Sequence, residues 1–467
     1  MNTKRVKLLV IVMVFLTGVI SVDAASLNST AAQQPWTVQR IDGNVPDVWN
    51  LSTAFVGKNQ VPMLSYTKTG SNRIYQVHLA TEEVPGNCGP DQTWYCNYWQ
   101  DLDLLEGTVS NLATFLYGPD TFGVKWAYGT TDGTLRGATV EFLNDMTSVT
   151  QSWEDLIDLG KFGGILVGPP SLQVVGGWYR AAVTIRSGGG FPTYKLVYMY
   201  KTGIQNSSCV QSGTSLYQCD VIEEAIGYDS IGTPSLQVGS DQTVGIAYYK
   251  NGAIKYAYPW TEGVIFRPVN CGPGDPKTYR CISISEISTV GQKVALAIGK
   301  DSSERGLVFA FNTTLFDGLK HANYVGSGGN CGPDGVLGFD PIYRWQCDDI
   351  AGSGQVSDIF DLTFSIDIDP EGFSVVAYEF DDKLSIIYPK ARLGDSIPGW
   401  TSQVIDGNDF SETGDLPSIS INNDGLGFIG YMQPTYCSGP VCIPDNSPNL
   451  KVALQRFTTY LPLTLRE

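Results

Sequence analysis

The ten cysteines are the residues whose number and spacing suggest chemistry most directly. They form five neighbouring pairs: Cys88/Cys96, Cys209/Cys219, Cys271/Cys281, Cys331/Cys347 and Cys437/Cys442. None of the pairs has the C-x-x-C spacing of a zinc site, and the chain has only two histidines to add to one. In an oxidising compartment, an even number of cysteines at such short separations favours local disulfides. We therefore predict five disulfides, each within one structural unit.

His78 and His321 are the only two histidines, and therefore the only imidazole side chains that could act as a general base. A serine or cysteine nucleophile needs a base beside it. His78 lies in an alternating apolar segment and His321 is predicted to lie in a loop, so we expect packed or solvated roles for both. No GxxxxGK[ST] motif occurs, and the run Ser187–Gly190 separates two predicted strands. It predicts a hairpin rather than a phosphate-binding loop.

Acidic doublets are the candidates for glycoside hydrolysis, which needs two carboxyl groups about 5–10 Å apart. Adjacent residues on a strand point to opposite faces, so we expect no doublet to form a catalytic pair by itself. A pair assembled from different units at a central axis is the alternative. The doublets include Glu82/Glu83, Glu223/Glu224, Asp348/Asp349 and Asp381/Asp382.

One segment has the spacing of the front of a calcium-binding loop, with Asp367, Asp369 and Glu371 followed by Gly372. The twelfth position, which should supply a bidentate acid, is Tyr378. The same positions in other repeats are turns, so we expect a hairpin here, with a structural Ca²⁺ as the alternative. We predict no organic cofactor and no other metal ligand.

These residues lie on a repeat of alternating segments. An apolar segment ending in a small–aromatic step is followed by a second strand and then by a closing segment rich in Trp, Cys and Asp, about every 53–66 residues. Alternation with period two between turns predicts strands, and four strands per repeat are typical of a propeller blade. We predict an all-β chain forming a single β-propeller of seven four-stranded blades. The closing segments start near Trp36, Trp99, Trp153, Cys219, Cys281, Cys347 and Trp400.

The two ends of the chain predict how the ring closes. WTVQRID at 36–42 matches the closing segment WTSQVID at 400–406, and the segment at 450–456 is of an inner type. The N-terminal strand is therefore predicted to complete the last blade. The fifth unit is shorter, with 11 residues from Cys281 to Gln292 where other units have about 20. We expect it to lack one strand or connection, and six blades are the alternative.

The N-terminus has the layout of a secretory signal. Lys4, Arg5 and Lys7 precede the apolar run Leu8–Val22, and we expect cleavage after Ala24. An uncleaved anchor is the alternative. Cleavage removes three basic residues and one acidic residue, which changes the net charge from −17 to −19. This charge disfavours nucleic acid and anionic membranes as partners.

We expect a secreted or cell-surface protein without a membrane span after cleavage, and a monomer. The predicted domains are a signal peptide at 1–24, a short segment at 25–35, the propeller at 36–457 and a tail at 458–467.

The repeat resembles those of bacterial exported β-propellers, which are grouped loosely with sialidase-like, BNR-type propellers. The motifs that carry the resemblance are SLQV at 235–238, VGIAYY at 244–249, IKYAY at 254–258 and NCGPD with WQCDDI within 330–350. It covers nearly all of 36–456. The C-terminal YLPLTLRE is similar to the YLPL-x-LR tails of exported Chloroflexi-type proteins.

The resemblance implies the fold and no catalytic residue. Sialidases carry Asp boxes, three arginines that hold the substrate carboxylate, and a Tyr–Glu nucleophile pair. Here the turns within 366–378 and 420–431 keep Asp and Gly but lack the following Trp. No spacing marks any three arginines as a triad; they include Arg73, Arg136, Arg180, Arg267 and Arg305.

Two functional hypotheses follow. The first is a non-catalytic binding or scaffold module for a glycan or an extracellular protein, with exposed Trp or Tyr side chains at one end of the ring. The second is a sialidase-like glycoside hydrolase or a lyase with its site over the central axis. No catalytic residue is predicted. Clustered Arg, Glu and Tyr at the mouth of the channel would favour the enzyme.

Overall fold

The computed structural model describes most of the chain between residues 35 and 455. The described ranges are 35–43, 48–99, 103–211, 213–227, 230–259, 270–274, 277–285, 290–301, 303–312, 317–334, 341–351, 363–380, 383–393, 398–407, 415–433, 437–438, 441–442 and 449–455. No helix within them is long and apolar enough to cross a membrane. The predicted signal peptide and the tail lie outside these ranges, so the predicted domain limits stay predictions.

Within the described ranges, thirty-three strands form seven antiparallel sheets and one small hairpin. The chain begins with β1 (Trp36–Gly43). Blade 1 consists of β2 (Val48–Val56), β3 (Val61–Lys68), β4 (Ile74–Leu79) and β5 (Trp94–Trp99). Blade 2 consists of β6 (Leu104–Val109), β7 (Ala113–Leu116), β8 (Thr121–Thr130), β9 (Thr134–Leu143) and β10 (Ser148–Asp158). Blade 3 consists of β11 (Gly164–Leu166), β12 (Ser171–Val175), β13 (Trp178–Ser187), β14 (Thr193–Asn206) and β15 (Ser215–Ile226).

The second half of the ring repeats this plan. Blade 4 consists of β16 (Ser235–Val238), β17 (Val244–Lys250), β18 (Ala253–Pro259) and β19 (Tyr279–Ser285). Blade 5 consists of β20 (Val290–Ile298), β21 (Arg305–Asn312), β22 (Asp317–Tyr324), β23 (Cys331–Asp334) and β24 (Ile342–Ala351). Blade 6 consists of β25 (Phe364–Ile368), β26 (Ser374–Phe380), β27 (Lys383–Pro389) and β28 (Trp400–Asp406). Blade 7 consists of β29 (Asp415–Ile421), β30 (Gly427–Gln433), a hairpin of β31 (Cys437–Ser438) and β32 (Val441–Cys442), β33 (Asn449–Gln455) and β1.

Short helical turns connect some strands. The described residues contain no α-helix, and the 3-10 turns cover Pro90–Gln92, Leu159–Phe162 and Lys390–Leu393. The all-β prediction is therefore confirmed.

The core of the molecule lies between the blades. Second strands such as β8 are buried on both faces, which explains their near-continuous apolar sequence. The buried side chains form seven clusters, one at each junction between neighbouring blades, including the junction between blades 7 and 1. Seven blades and a closed ring are thus confirmed.

The N-terminal strand closes the ring as predicted. β1 pairs antiparallel with β33, from Trp36 opposite Gln455 to Gly43 opposite Asn449. It occupies the outermost position of blade 7, which β5, β10, β15, β19 and β28 occupy in other blades.

The prediction that the fifth unit lacks a strand was wrong. KVALAIGK at 293–300 falls mainly on β20, the innermost strand of blade 5, and GLVFAFN at 306–312 falls on β21, the second. Whereas the innermost strand β16 carries Ser235 and Gln237, the run Val294–Ile298 of β20 contains Ala295 and Ala297 and no polar residue. This composition resembles that of a fully buried second strand, which caused the misassignment. His321, predicted in a loop, lies on β22.

A ring of hydrogen bonds joins neighbouring innermost strands. An inner strand has an unpaired edge, and its N–H groups need acceptors. At six junctions a backbone N–H donates to a side chain of the preceding blade; these are Leu112 to Ser52, Leu172 to Asn111, Leu236 to Ser171, Leu296 to Ser235, Ile419 to Ser365 and Thr53 to Ser418. The distances are 2.7–3.0 Å. Between blades 5 and 6 the acceptor position is Ala295, which has no hydroxyl.

Candidate functional site

Four of the predicted disulfides are formed, each within one blade and each in the loop before its outermost long strand. They are Cys88–Cys96, Cys209–Cys219, Cys271–Cys281 and Cys331–Cys347. We call the end of the ring that carries these loops the cysteine-loop end; since strands alternate in direction, it also carries the turns between first and second strands. The backbones of Cys437 and Cys442 pair in the β31–β32 hairpin. Their side chains are not among those described, so the fifth bridge stays a prediction.

The Asn-Cys-Gly-Pro motif is a structural clasp. In each copy the Asn side chain accepts a hydrogen bond from the N–H of the second cysteine at 2.7 Å and donates to its carbonyl, as a neighbouring strand would. The glycine has a positive φ, and a Cβ there would collide with an aromatic ring. The Asn, Gly and aromatic residues are Asn87, Gly89 and Trp94, Asn270, Gly272 and Tyr279, and Asn330, Gly332 and Trp345.

The aromatic residue of each clasp contacts the preceding blade. Trp94 Nε1 donates to Gln39 Oε1 at 2.7 Å, and the Tyr279 hydroxyl donates to Asp220 Oδ2 at 2.8 Å. The motif therefore holds a side chain that joins two blades, which is a structural task.

Tyrosine–acid contacts recur where blades meet. The Tyr248 hydroxyl donates to Glu223 Oε2 at 2.7 Å, while Lys255 and Lys250 lie 2.9 and 3.3 Å from Oε1. Burial, followed by the Glu223 charge, raises the pKa of Tyr248 well above its usual value. Similar groups join blades 6 and 7 and blades 7 and 1: Tyr431, Asp406 and Lys451, and Tyr66, Asp42 and Lys68. Because the arrangement repeats around the ring, we interpret it as a joint rather than a nucleophile pair.

In the described part of the chain, the acidic doublets differ in what their carboxylates contact. Glu224 lies 3.9 Å from Lys195, and Asp349 binds Lys320 at 2.5 Å. Asp348 accepts a hydrogen bond from Gln346. Glu82 and Glu83 are both exposed in a surface turn, and Asp381/Asp382 lie outside the described residues.

Both histidines are buried among other groups. Burial lowers the pKa of His78, whose Nδ1 lies 2.7 Å from the Leu79 carbonyl. His321 lies between blades 5 and 6 with its Nε2 3.0 Å from Ser374 Oγ, and burial lowers its pKa to about 3. These environments agree with packed roles.

The calcium-like segment forms a turn whose carboxylates bind protein groups. Asp369 Oδ2 lies 2.7 Å from Arg392 Nε, and its Oδ1 accepts the N–H groups of Glu371 and Phe373. Asp367 accepts the Ile421 N–H of blade 7 at 2.7 Å, and burial raises its pKa to about 6. A Ca²⁺ ion would have to displace Arg392. Among the described side chains, no group of three His, Cys, Asp or Glu could hold a metal.

A cleft of about 350 Å³ at the cysteine-loop end lies at the junction of blades 3 and 4. We call it the Trp178 cleft; it is lined by Val175, Gly176, Trp178, Tyr179, Arg180, Lys201, Gly203 and Gln242.

Glycine turns shape the cleft. Gly176 and Gly177 adopt φ values of 57° and 80°, which allow the tight turn that places Trp178 at the start of β13. Nothing lies within 4 Å of where a Cβ would be at Gly176 or Gly203. Because Gly176 and Gly203 have no side chains, the space beside them stays free for a ligand.

The functional groups of the cleft are an indole and two cations. Trp178 is 39% exposed, and the Lys201 ammonium lies against its ring. Arg180, on the same strand as Trp178, reaches Gln242 of blade 4, with 3.4 Å between Nη2 and Oε1. Gln242 adopts a φ of 67°, an unusual conformation for a residue other than glycine. The cleft thus combines an aromatic surface, two cations and an amide.

Neither cation of the cleft has a carboxylate partner within 4.0 Å among the described residues. Asp241 is adjacent to Gln242, but its carboxylate accepts hydrogen bonds from the Thr243 N–H and hydroxyl at 2.8 and 2.7 Å. In a chain of net charge −17, the Trp178 cleft is a local cationic site.

The chain matches no protein-family model and no curated protein. Its structural neighbours are sialidase-like and other β-propellers. The PQQ-bound aldose sugar dehydrogenase of Streptomyces coelicolor is 12% identical over 75% of this chain and 95% of its own, with a TM-score of 0.38. The SapL1 lectin in complex with alpha methyl fucoside is 11% identical over 78% of this chain and 98% of its own, with a TM-score of 0.37.

A structure of the NanB sialidase of Streptococcus pneumoniae is 10% identical over 88% of this chain and 68% of its own, with a TM-score of 0.36. At these identities the similarity concerns the fold alone.

The sequence did not single out the cleft. Arg180 was one of several arginines without a distinguishing spacing; of the others, Arg136 binds Asp155 and Arg73 stacks on Tyr98. The available signal was the segment GGWYR at 176–180, where two glycines precede an aromatic residue at a turn. The axial mouth opposite the cysteine-loop end includes connections outside the described ranges, so it does not discriminate between the two hypotheses.

Proposed function

We propose that this protein is a secreted or cell-surface propeller that binds a glycan in the Trp178 cleft without catalysing its conversion. The observation that carries the proposal is the exposed Trp178 beside Arg180 and Lys201 in a cleft that is also lined by Gly176 and Gly203. An indole offers a flat apolar surface to the C–H face of a sugar ring, while flanking polar groups can bind its hydroxyls.

Export is supported by the four disulfides, which persist in oxidising compartments. The signal-like N-terminus agrees with this. A non-catalytic role is supported by the carboxylates of Glu223, Asp349, Asp367 and Asp369, which bind lysine, arginine or backbone N–H groups.

The test is a glycan array followed by calorimetry with the glycan that binds most tightly. We expect Trp178→Ala to weaken binding at least about tenfold, or about 1.4 kcal/mol, because it removes the stacking surface. Trp153→Ala is the matched control, since Trp153 is 69% exposed on β10 and outside the cleft. Thermal unfolding of both variants would verify that each is folded.

Three outcomes would contradict the proposal. They are an array without any bound glycan, equal effects of the two tryptophan variants, and turnover of a chromogenic glycoside. The last outcome would favour the hydrolase hypothesis instead.

A further inference from the structure

The cations of the Trp178 cleft differ from those that form ion pairs at the blade junctions. Several lysines and arginines at the blade junctions meet carboxylates, as Lys255 does with Glu223, Arg280 with Asp334 and Arg392 with Asp369. Lys125, between blades 2 and 3, is buried over the rings of Phe115 and Tyr179 and does not open to a ligand. Arg180 and Lys201 instead face a cleft.

From this difference we infer that the ligand of the Trp178 cleft is an acidic saccharide, whose carboxylate or sulfate group binds between Arg180 and Lys201. The inference rests on the proposed glycan-binding function and specifies the class of glycan.

The geometry of Arg180 suits an anion. A guanidinium has five N–H donors in a planar fork that matches a carboxylate or sulfate. The contact from Nη2 to Gln242 Oε1 is long, at 3.4 Å, and Gln242 lies on a turn with positive φ. This amide orients the guanidinium without neutralising it.

The Lys201 ammonium and Trp178 act together. A cation against an indole ring is held by the negative face of the ring. The contact fixes the ammonium at the cleft while it keeps its charge for a ligand. An acidic sugar could therefore meet the exposed part of Trp178 with its ring and the two cations with its anionic group.

The size of the cleft limits how much of the ligand it holds. A volume of about 350 Å³ is near the lower end of the ~300–1,000 Å³ typical of small-molecule sites. We therefore expect the cleft to hold one acidic residue of a saccharide, with the rest of the chain extending into solvent. An acidic peptide is the other anionic occupant, but it would not need the indole surface.

The experiment is calorimetry with oligosaccharides in which the same terminal sugar is presented as the neutral hexose, the uronate and the O-sulfate. We expect the wild-type protein to bind an acidic form at least tenfold more tightly than the neutral form. Comparing the uronate with the sulfate identifies the anion. Binding should weaken as salt rises from ~50 to ~500 mM because ions screen exposed charges.

Arg180→Gln and Lys201→Gln should each reduce the ratio of the affinity for the acidic form to the affinity for the neutral form from at least tenfold to about one, whatever their effect on the neutral form itself. Arg186→Gln is the matched control, because Arg186 is exposed on the same strand at the opposite end of the blade. It should bind as the wild type does.

The outcomes separate this inference from the proposed function. If neutral and acidic forms bind equally in a Trp178-dependent manner, the inference is wrong and the glycan-binding function stands. If no saccharide binds, the proposed function and the inference both fail. Binding of a polyglutamate peptide without binding of any saccharide would overturn both, since the ligand class would be wrong.

Discussion

The junction between blades 3 and 4 has cations at both of its ends, and the two ends differ in whether a carboxylate pairs with those cations. Away from the cysteine-loop end, Lys250 and Lys255 lie within 3.3 Å of Glu223, which also accepts the Tyr248 hydroxyl. In the Trp178 cleft, Arg180 and Lys201 have no carboxylate within 4.0 Å among the described residues. Neutralised charges hold the two blades together, whereas the cleft keeps its charges accessible to a ligand.

The largest expected effect on the free energy of unfolding comes from removing the Glu223 carboxylate, which neutralises Lys250 and Lys255. Glu223→Gln would leave two largely buried lysines without their carboxylate, and we expect it to lower the free energy of unfolding by about 2–4 kcal/mol. Denaturant unfolding measures the change. Glu224→Gln is the control, because Glu224 is half exposed and 3.9 Å from Lys195, and it should cost less than about 1 kcal/mol. Equal effects of the two variants would refute the role of Glu223 as a joint.

The buried carboxylate of Asp367 differs from that of Glu223 because it accepts backbone N–H groups and has no lysine partner. Asp367 accepts the N–H groups of Ile421 and Ile368, and burial followed by the Asp369 charge raises its pKa to about 6. Because the folded-state pKa is raised, this contribution to stability is complete below the unfolded-state pKa of about 4 and is lost as pH rises to about 6.

We therefore expect Asp367 to lower the free energy of unfolding by about 1–3 kcal/mol between pH 4 and pH 7. Asp367→Asn should remove this pH dependence, as denaturant unfolding across that range would show. An unchanged pH profile in the variant would assign the dependence to other groups.

Gln242→Glu would place a carboxylate beside Arg180 and neutralise its charge, while the side chain at position 242 keeps almost the same shape. The new carboxylate would face Arg180 at the present amide contact. We expect affinity for the acidic saccharide to fall at least about tenfold, or about 1.4 kcal/mol. Stability should rise by less than about 1 kcal/mol. Gln173→Glu is the control, because Gln173 contacts Gln237 outside the cleft lining. Retained affinity in Gln242→Glu would contradict the role assigned to Arg180.

The smallest expected effect concerns the inner hydrogen bond that the junction of blades 3 and 4 has and the junction of blades 5 and 6 lacks. Leu236 donates to Ser171 between blades 3 and 4, whereas Ala295 offers no acceptor between blades 5 and 6. We expect Ala295→Ser to supply the seventh inner bond, to the Ile366 N–H, and to raise the free energy of unfolding by about 0.5–1 kcal/mol. Ser171→Ala should lower it by a similar amount. A destabilised Ala295→Ser protein would show that the new hydroxyl does not fit.

Much of the fold could be predicted because the outermost strands have their own composition. Closing segments with Trp, Cys and Asp recur at a regular spacing, and the match of 36–42 to 400–406 predicted the β1–β33 pairing. The small–aromatic pair at the end of the apolar segments could also be read from the sequence, but the contact that its tyrosine makes could not. The Tyr248 hydroxyl binds Glu223, which lies on another blade, and sequence spacing does not show which side chains meet across blades.

The candidate site could not be predicted for a related reason. Trp178 and Lys201 belong to different strands of blade 3, and Gln242 belongs to the next blade. Their meeting depends on a glycine turn and on the packing angle between two sheets. The error in blade 5 was of another kind, because Ala295 and Ala297 gave an inner strand the apolar composition of a second strand.

The closure of the ring by β1 and β33 also determines how the molecule should respond to force. Trp36, the first residue of β1, is paired with Gln455, the last residue of β33, so the chain enters and leaves the ring at one point. A pull on both ends would load the strand pairs one after another, as in opening a zipper, instead of shearing all of them together. The ring should therefore open at low force from blade 7, while the other six blades keep their own sheets until β1 has peeled away.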